Sequence, residues 1–385
     1  MKTIKFMCAA LVAAMTLAGC QKETQTGKNN GPQQPKSITI SLSNVKVPAK
    51  SASTNVMDGT TAVVNNFQVF LTDGSQFFAG LNQDGTPASH YIDVTDPSTD
   101  LTQTFHFVDP LVTQVIIMAN VGSEQSFASV TDLKKFSVEI ADQQDDKVGN
   151  LILFGEDTNL EVVGDHSSLH PTTEVYKAEV QIAPLIARIE VVNFSTKFSQ
   201  NSVYKSVTVN KLAFNDYYRA YTIGNGIANQ ARINQDINES TVYDYLNGLT
   251  GIHWYYDNLD MNIATPAIEP ITMAKTSAVE HTVEAGITHR YAYHFFPSAT
   301  ATTGDAEGYP QLVVGATVVD NQDRQSEQYL ATESFTGTGF SGFEPGVIYR
   351  ISFSFDDEDL EHQLKCVDVQ VTVKEWTVIT LTPNL

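Results

Sequence analysis

The stretch Val367-Asp368-Val369-Gln370-Val371-Thr372-Val373 alternates apolar and polar residues without a break. Lys374-Glu375-Trp376-Thr377-Val378-Ile379-Thr380-Leu381 follows, with its apolar residues in a different phase, and Pro383 closes it. A period of two puts every second side chain on one face, so this ending predicts a strand with one buried face rather than a helix. Two apolar phases at a free end predict a strand that pairs twice, once in its own domain and once with a neighbour. The plain alternative is one long final strand with a bulge at Glu375.

Upstream the same grammar repeats. Residues 347–355, 311–319, 291–296 and 206–214 each read as a strand, and Leu185-Ile186-Ala187-Arg188-Ile189-Glu190-Val191-Val192 opens this second set. Pro184 breaks the pattern and marks a domain boundary. Before it, a first set runs through Ser37-Ile38-Thr39-Ile40-Ser41-Leu42, Phe67-Gln68-Val69-Phe70-Leu71, 104–108, 114–121, 151–154 and 175–182. Residues 114–121 are nearly all apolar and predict a central strand, whereas residues 37–42 alternate and predict a half-buried one at an edge. Residues 125–140 are assigned a short helix, and 216–288 loops with a short helix. Many short strands separated by Gly, Asn and Asp turns predict an all-β chain of antiparallel sandwiches.

The chain has 385 residues, with 44 acidic and 23 basic side chains and a net charge of −21. The first Arg is Arg188, so no basic cluster exists to hold nucleic acid, which is excluded as a partner. A 42% hydrophobic share supports real cores. Three cysteines, Cys8, Cys20 and Cys366, give no disulfide framework.

The amino terminus reads as an address. Lys2 and Lys5 precede an apolar run over residues 6–17, too short to span a bilayer. Leu17-Ala18-Gly19-Cys20 is similar to a bacterial lipobox, in which the Cys sulfur is lipidated and the chain cut before it. Residues 1–19 are then a signal peptide and 20–36 a polar tether. Lys22-Glu23 resembles the surface-export signal of Bacteroidetes lipoproteins.

Motifs for chemistry sit in the wrong contexts. Gly337-Thr338-Gly339-Phe340-Ser341-Gly342 matches G-x-G-x-x-G, yet Pro345 and a strand follow instead of a helix, so it reads as a glycine loop. His166 and His170 have helical metal spacing inside a loop sequence. Asp356-Asp357-Glu358-Asp359 lacks the alternation of a calcium loop and reads as a solvated turn. Trp254-Tyr255-Tyr256 after His253 offers a sugar-stacking platform or a packing cluster. No catalytic residue, metal or cofactor is assigned, and the chain is read as a non-enzyme.

Taken together, the lipobox at Cys20, the strands at 67–73, 115–121, 185–192 and 347–351, and the ending at 369–385 resemble the Bacteroidetes fimbrillins, the subunits of type V pili. The resemblance implies two tandem transthyretin-like antiparallel β-sandwich domains, here 37–184 and 185–385. It implies an outer-membrane lipoprotein precursor anchored through Cys20. Residues 37–50 would form a removable first strand, with Ile38, Ile40 and Leu42 as its core residues. Removal vacates a groove for the terminal strand (367–385) of another copy or a related subunit, with Trp376, Val378, Ile379 and Leu381 as pocket residues. The assembled fimbria supports adhesion to a host or bacterial surface ligand. Polymerising family members are cut after Arg. Here no Arg precedes Arg188, which leaves Lys50, then Lys46, as the cut site. The alternatives are a lipid-retaining anchor or tip subunit of the same pilus, and a surface glycan-binding lipoprotein.

Overall fold

The computed structural model describes residues 35–43, 63–94, 101–143, 151–163, 174–234, 271–275, 281–282, 291–298, 308–332, 334–337, 340–361, 364–366 and 369–375. The first set of strands is β1 (Lys36–Ser43), β2 (Asn66–Thr72), β3 (Phe77–Phe78), β4 (Tyr91–Asp93), β5 (Thr102–Val108), β6 (Gln114–Ala119), β7 (Ser137–Glu139), β8 (Leu153–Asp157), β9 (Glu161–Val163), β10 (Val175–Gln181) and β11 (Ala183–Pro184). Ten of these build two sheets, β5-β1-β10-β9 and β11-β8-β6-β2-β3, with β4 also pairing β2.

The apolar run of β6 is explained by its place. It lies between β2 and β8, as the sequence predicts for a central strand. Val115, Ile117 and Ala119 face the main core together with Phe67, Val69 and Leu71 of β2. Ile116 and Met118 face the other way and pack with Phe70 against Val130 and Leu133 of the one-turn helix α1 (Val130–Leu133). The helix expected over 125–140 is thus only this single turn, started by Ser129, whose hydroxyl accepts the Asp132 amide proton at 3.2 Å. Asn120, in the left-handed region at φ 61°, ends β6. Its side chain donates to the carbonyls of Val63 (2.7 Å) and Leu151 (2.8 Å) and accepts from the Asn65 amide (2.8 Å). One polar side chain thereby ties three segments together.

The second set is β12 (Ala187–Thr196), β13 (Tyr204–Asn215), β14 (Tyr217–Tyr218), β15 (Ala220–Thr222), β16 (Arg232–Ile233), β17 (Ile271–Ala274), β18 (His281–Thr282), β19 (Tyr291–Phe295), β20 (Gln311–Asp320), β21 (Gln325–Ala331), β22 (Phe335–Thr336), β23 (Val347–Phe355), β24 (Leu364–Cys366) and β25 (Val369–Glu375). Its two large sheets run β18-β12-β23-β25-β22, with β19 on β12, and β17-β13-β20-β21-β24. Stacked rings fill the space between, Phe194 on Phe353 at 5.4 Å and Phe214 on Tyr293 at 5.2 Å. The chain is therefore an all-β sandwich protein. The strand β7 pairs with β15, so backbone hydrogen bonds join segments from before and after Pro184.

Three details depart from the sequence expectations. The sandwiches are mixed rather than purely antiparallel, because β1 pairs β10, β12 pairs β23, β21 pairs β24 and β22 pairs β25 in parallel. Period-two patterning fixes which face is buried but says nothing about neighbours. The region 216–288, expected as loops and helix, contributes β14 to β18, each too short to show a period. A short strand not expected from the sequence, β24, precedes the final alternating segment and joins the other large sheet from β25.

Candidate functional site: the groove occupied by the first strand

Expected at an edge, β1 instead lies in the middle of its sheet, with one face buried as its alternation predicts. It runs parallel to β10 from Ser37 opposite Val175 to Ser43 opposite Gln181, and antiparallel to β5 on its other side. Ile38 and Ile40 are completely buried and Leu42 nearly so. Burying three such side chains is worth about 1.5–3 kcal/mol each, roughly 4.5–9 kcal/mol in all. The polar phase is paired as well. The Thr39 and Thr104 hydroxyls are 3.1 Å apart, and the Ser37 hydroxyl is 3.3 Å from His106 Nδ1. Ser37 donates its amide to the Glu174 carbonyl at 3.0 Å.

The groove is shaped by the strands beside it. A bulge falls on β5 between Val108 and Phe105, which oppose Lys36 and Ile38. Phe107 within it has φ 52°, the left-handed geometry that such an extra residue adopts. Phe105, wholly buried, lines the groove opposite Ile38, with the His90 ring 4.6 Å from its own. Gly80 leaves room for it, since a Cβ there would come within 2.5 Å of the Phe105 ring. His90 Nε2 accepts the Gly80 amide proton at 3.2 Å and Nδ1 donates to the Val69 carbonyl at 3.0 Å, which requires a neutral ring. Burial pushes its pKa below the usual histidine range, against the opposing pull of the Val69 carbonyl and Glu124.

At the amino end of β1 sits a charged group that sequence reasoning left in the tether. Lys36 is only 7% exposed. Its ammonium donates to the Val112 carbonyl and lies 4.5 Å over the Tyr176 ring. Burial pushes its pKa below the ordinary lysine range, while Glu174 and Asp109 act in the opposite direction. A lysine two residues before an apolar alternation was the available signal, but only the fold brings Val112 and Tyr176 to it.

Cys20, Lys46, Lys50, Trp376, Val378, Ile379 and Leu381 lie outside the described residues, as do His166, His170 and Trp254 to Tyr256. Arg188, the first arginine, is buried on β12 with its Nη1 2.8 Å from His294 Nε2, so in the folded chain it offers no accessible bond to a protease. Residues 356–359 form a closed turn. The Asp356 carboxylate accepts from the amides of Glu358 (2.9 Å) and Asp359 (3.0 Å), and Asp357 accepts from the Ser199 amide (2.8 Å). Among the described residues no group of three or more His, Cys, Asp or Glu side chains gathers to hold a metal, and no helix is long and apolar enough to cross a membrane. A separate cleft of about 730 Å³ is lined by Tyr218, Tyr221, Asn229, Ser298 and Glu344, with Arg232 held there by the Asp216 carboxylate.

No family model matches the chain, and no curated protein matches it significantly in sequence. Solved structures do match. A candidate cell adhesion protein from Parabacteroides distasonis superposes with a TM-score of 0.51 at 12% identity, covering 89% of this chain and 98% of its own. A fimbrillin from Porphyromonas gingivalis superposes with a TM-score of 0.50 at 11% identity, covering 91% of this chain and 100% of its own. At such identities the likeness is one of architecture, and it extends over nearly the full length of each molecule: this chain has the fimbrillin fold.

Proposed function

We propose that the chain is a structural subunit of a cell-surface fimbria, that its first strand is removed by proteolysis, and that the vacated groove receives the terminal strand of another copy. The observation that carries this reading is the position of β1. It is a short amino-terminal strand, central in its sheet and parallel to β10, and it supplies a full row of core side chains. Cutting between β1 and β2 frees the strand without breaking any other strand among the described residues. Its loss leaves an apolar slot with unpaired backbone on both walls, and an added strand satisfies both at once. Proteolysis makes the exchange one-way because the competing strand is gone. The fold shared with a fimbrillin and with a candidate cell adhesion protein supports the same reading.

In this account Cys20 carries the lipid that delivers the precursor to the outer surface, and the cut follows Lys50 or Lys46. Residues 37–184 and 185–385 act as the two domains, with residues 367–385 holding the donor strand. The role is one of assembly and adhesion rather than catalysis. The test is assembly of chains carrying Lys46→Ala and Lys50→Ala together. Monomers that keep β1 support the scheme, whereas normal filaments from uncut chains overturn it.

A further inference from the structure

The pocket around Lys36 carries an inference that rests on the donor-strand reading and sharpens it. We propose that the end of the β1 groove is a socket for a lysine ammonium that sets the register of the strand occupying it. In an assembled pair it takes Lys374 of a second copy of this chain, placing Trp376 where Ile38 stood and Val378 where Ile40 stood.

The socket is built from three parts. The Val112 carbonyl accepts from Lys36 and is presented by a turn in which the Val112 amide donates to the Asp109 carbonyl at 3.1 Å and the Leu111 amide to the Asp109 carboxylate at 2.9 Å. The Tyr176 ring covers the ammonium, and its hydroxyl donates to Glu174 Oε2 at 2.7 Å, which fixes the ring. Asp109 and Glu174 supply the surrounding negative charge. Once β1 leaves, the Val112 carbonyl loses its donor, and an occupying strand that brings none would bury it unpaired.

The spacing identifies the replacement. Lys36-x-Ile38-x-Ile40 recurs near the carboxyl end as Lys374-x-Trp376-x-Val378, in the chain direction that parallel pairing with β10 requires. A slip of one residue would turn every side chain to the opposite face. The socket therefore decides between the two apolar phases of the terminal segment, sending Trp376 and Val378 into the groove and Ile379 and Leu381 to the outer face. Within β25 only Lys374 and Glu375 give up their places opposite Ile348 and Val347.

Register is read directly by disulfide mapping. Ala178 of β10 stands opposite Ile40. Full-length chains with Cys366→Ser and Ala178→Cys are combined with a second cysteine at Val378, Ile379 or Leu381 and allowed to assemble under oxidation. A ladder of linked chains is expected with Val378→Cys. A stronger ladder with Ile379→Cys or Leu381→Cys overturns the register and leaves donor exchange standing. Linkage from none of the three refutes donor exchange and this inference with it. Lys374→Gln is expected to slow assembly about tenfold or more, and Lys374→Arg to stay near the wild-type rate. Unchanged assembly of Lys374→Gln overturns the socket.

Discussion

Ile40→Ala is the sharpest probe of β1 as a core strand. Ile40 is wholly buried between Gln103 on one wall and Ala178 on the other. Both walls are hydrogen-bonded strands, so they cannot close over the space left behind. Ile→Ala substitutions in such cores cost about 2–5 kcal/mol, and a rigid site belongs in the upper part of that range. A domain is commonly stable by about 5–15 kcal/mol, so the loss is a large share of the total. Urea titration should show a lower midpoint with an unchanged slope. Thr39→Ala on the opposite phase is the control. It removes a hydroxyl contact to Thr104 and should cost only about 0.5–1.5 kcal/mol. Equal losses from the two variants, or less than about 1 kcal/mol from Ile40→Ala, would refute the placement of β1 in the core.

Three further outcomes follow from the groove. Lys36 has a pKa lowered by burial, so between its folded value and the ordinary value of 10.5 the unfolded chain binds more protons; stability of the wild type relative to Lys36→Met should rise as pH approaches 10.5, and a flat difference would contradict this. His90 is likewise held neutral, with a pKa below 6.5, so thermal stability should fall as pH drops through and below 6.5, with a weaker slope in His90→Gln. Gly80→Ala should destabilise by about 1–3 kcal/mol, since the new methyl meets the Phe105 ring that lines the groove; unfolding with an unchanged midpoint would show that the ring moves freely aside.

Much of the fold was legible because the long strands carry their burial in their sequence. The apolar run of β6 announced a strand covered on both faces, and the alternation of β23 shows in its burial from Tyr349 to Phe355. Neighbour choice was not legible. Ile38, Ile40 and Leu42 declared a buried face, but nothing local said that β10, more than a hundred residues away, would pair with them in parallel. Short strands such as β14 to β16 escaped because two or three residues hold no period. The Lys36 socket escaped for a different reason. A lysine beside a polar tether reads as solvated until the fold places a carbonyl and an aromatic face over it.

The central claim is that assembled subunits have exchanged their first strand, and intact-mass and amino-terminal analysis of sheared surface filaments tests it most directly. The account predicts chains that begin at Ser51 or Val47 and lack Ile38 to Leu42. Filaments whose subunits begin at Cys20 and retain that strand would contradict it.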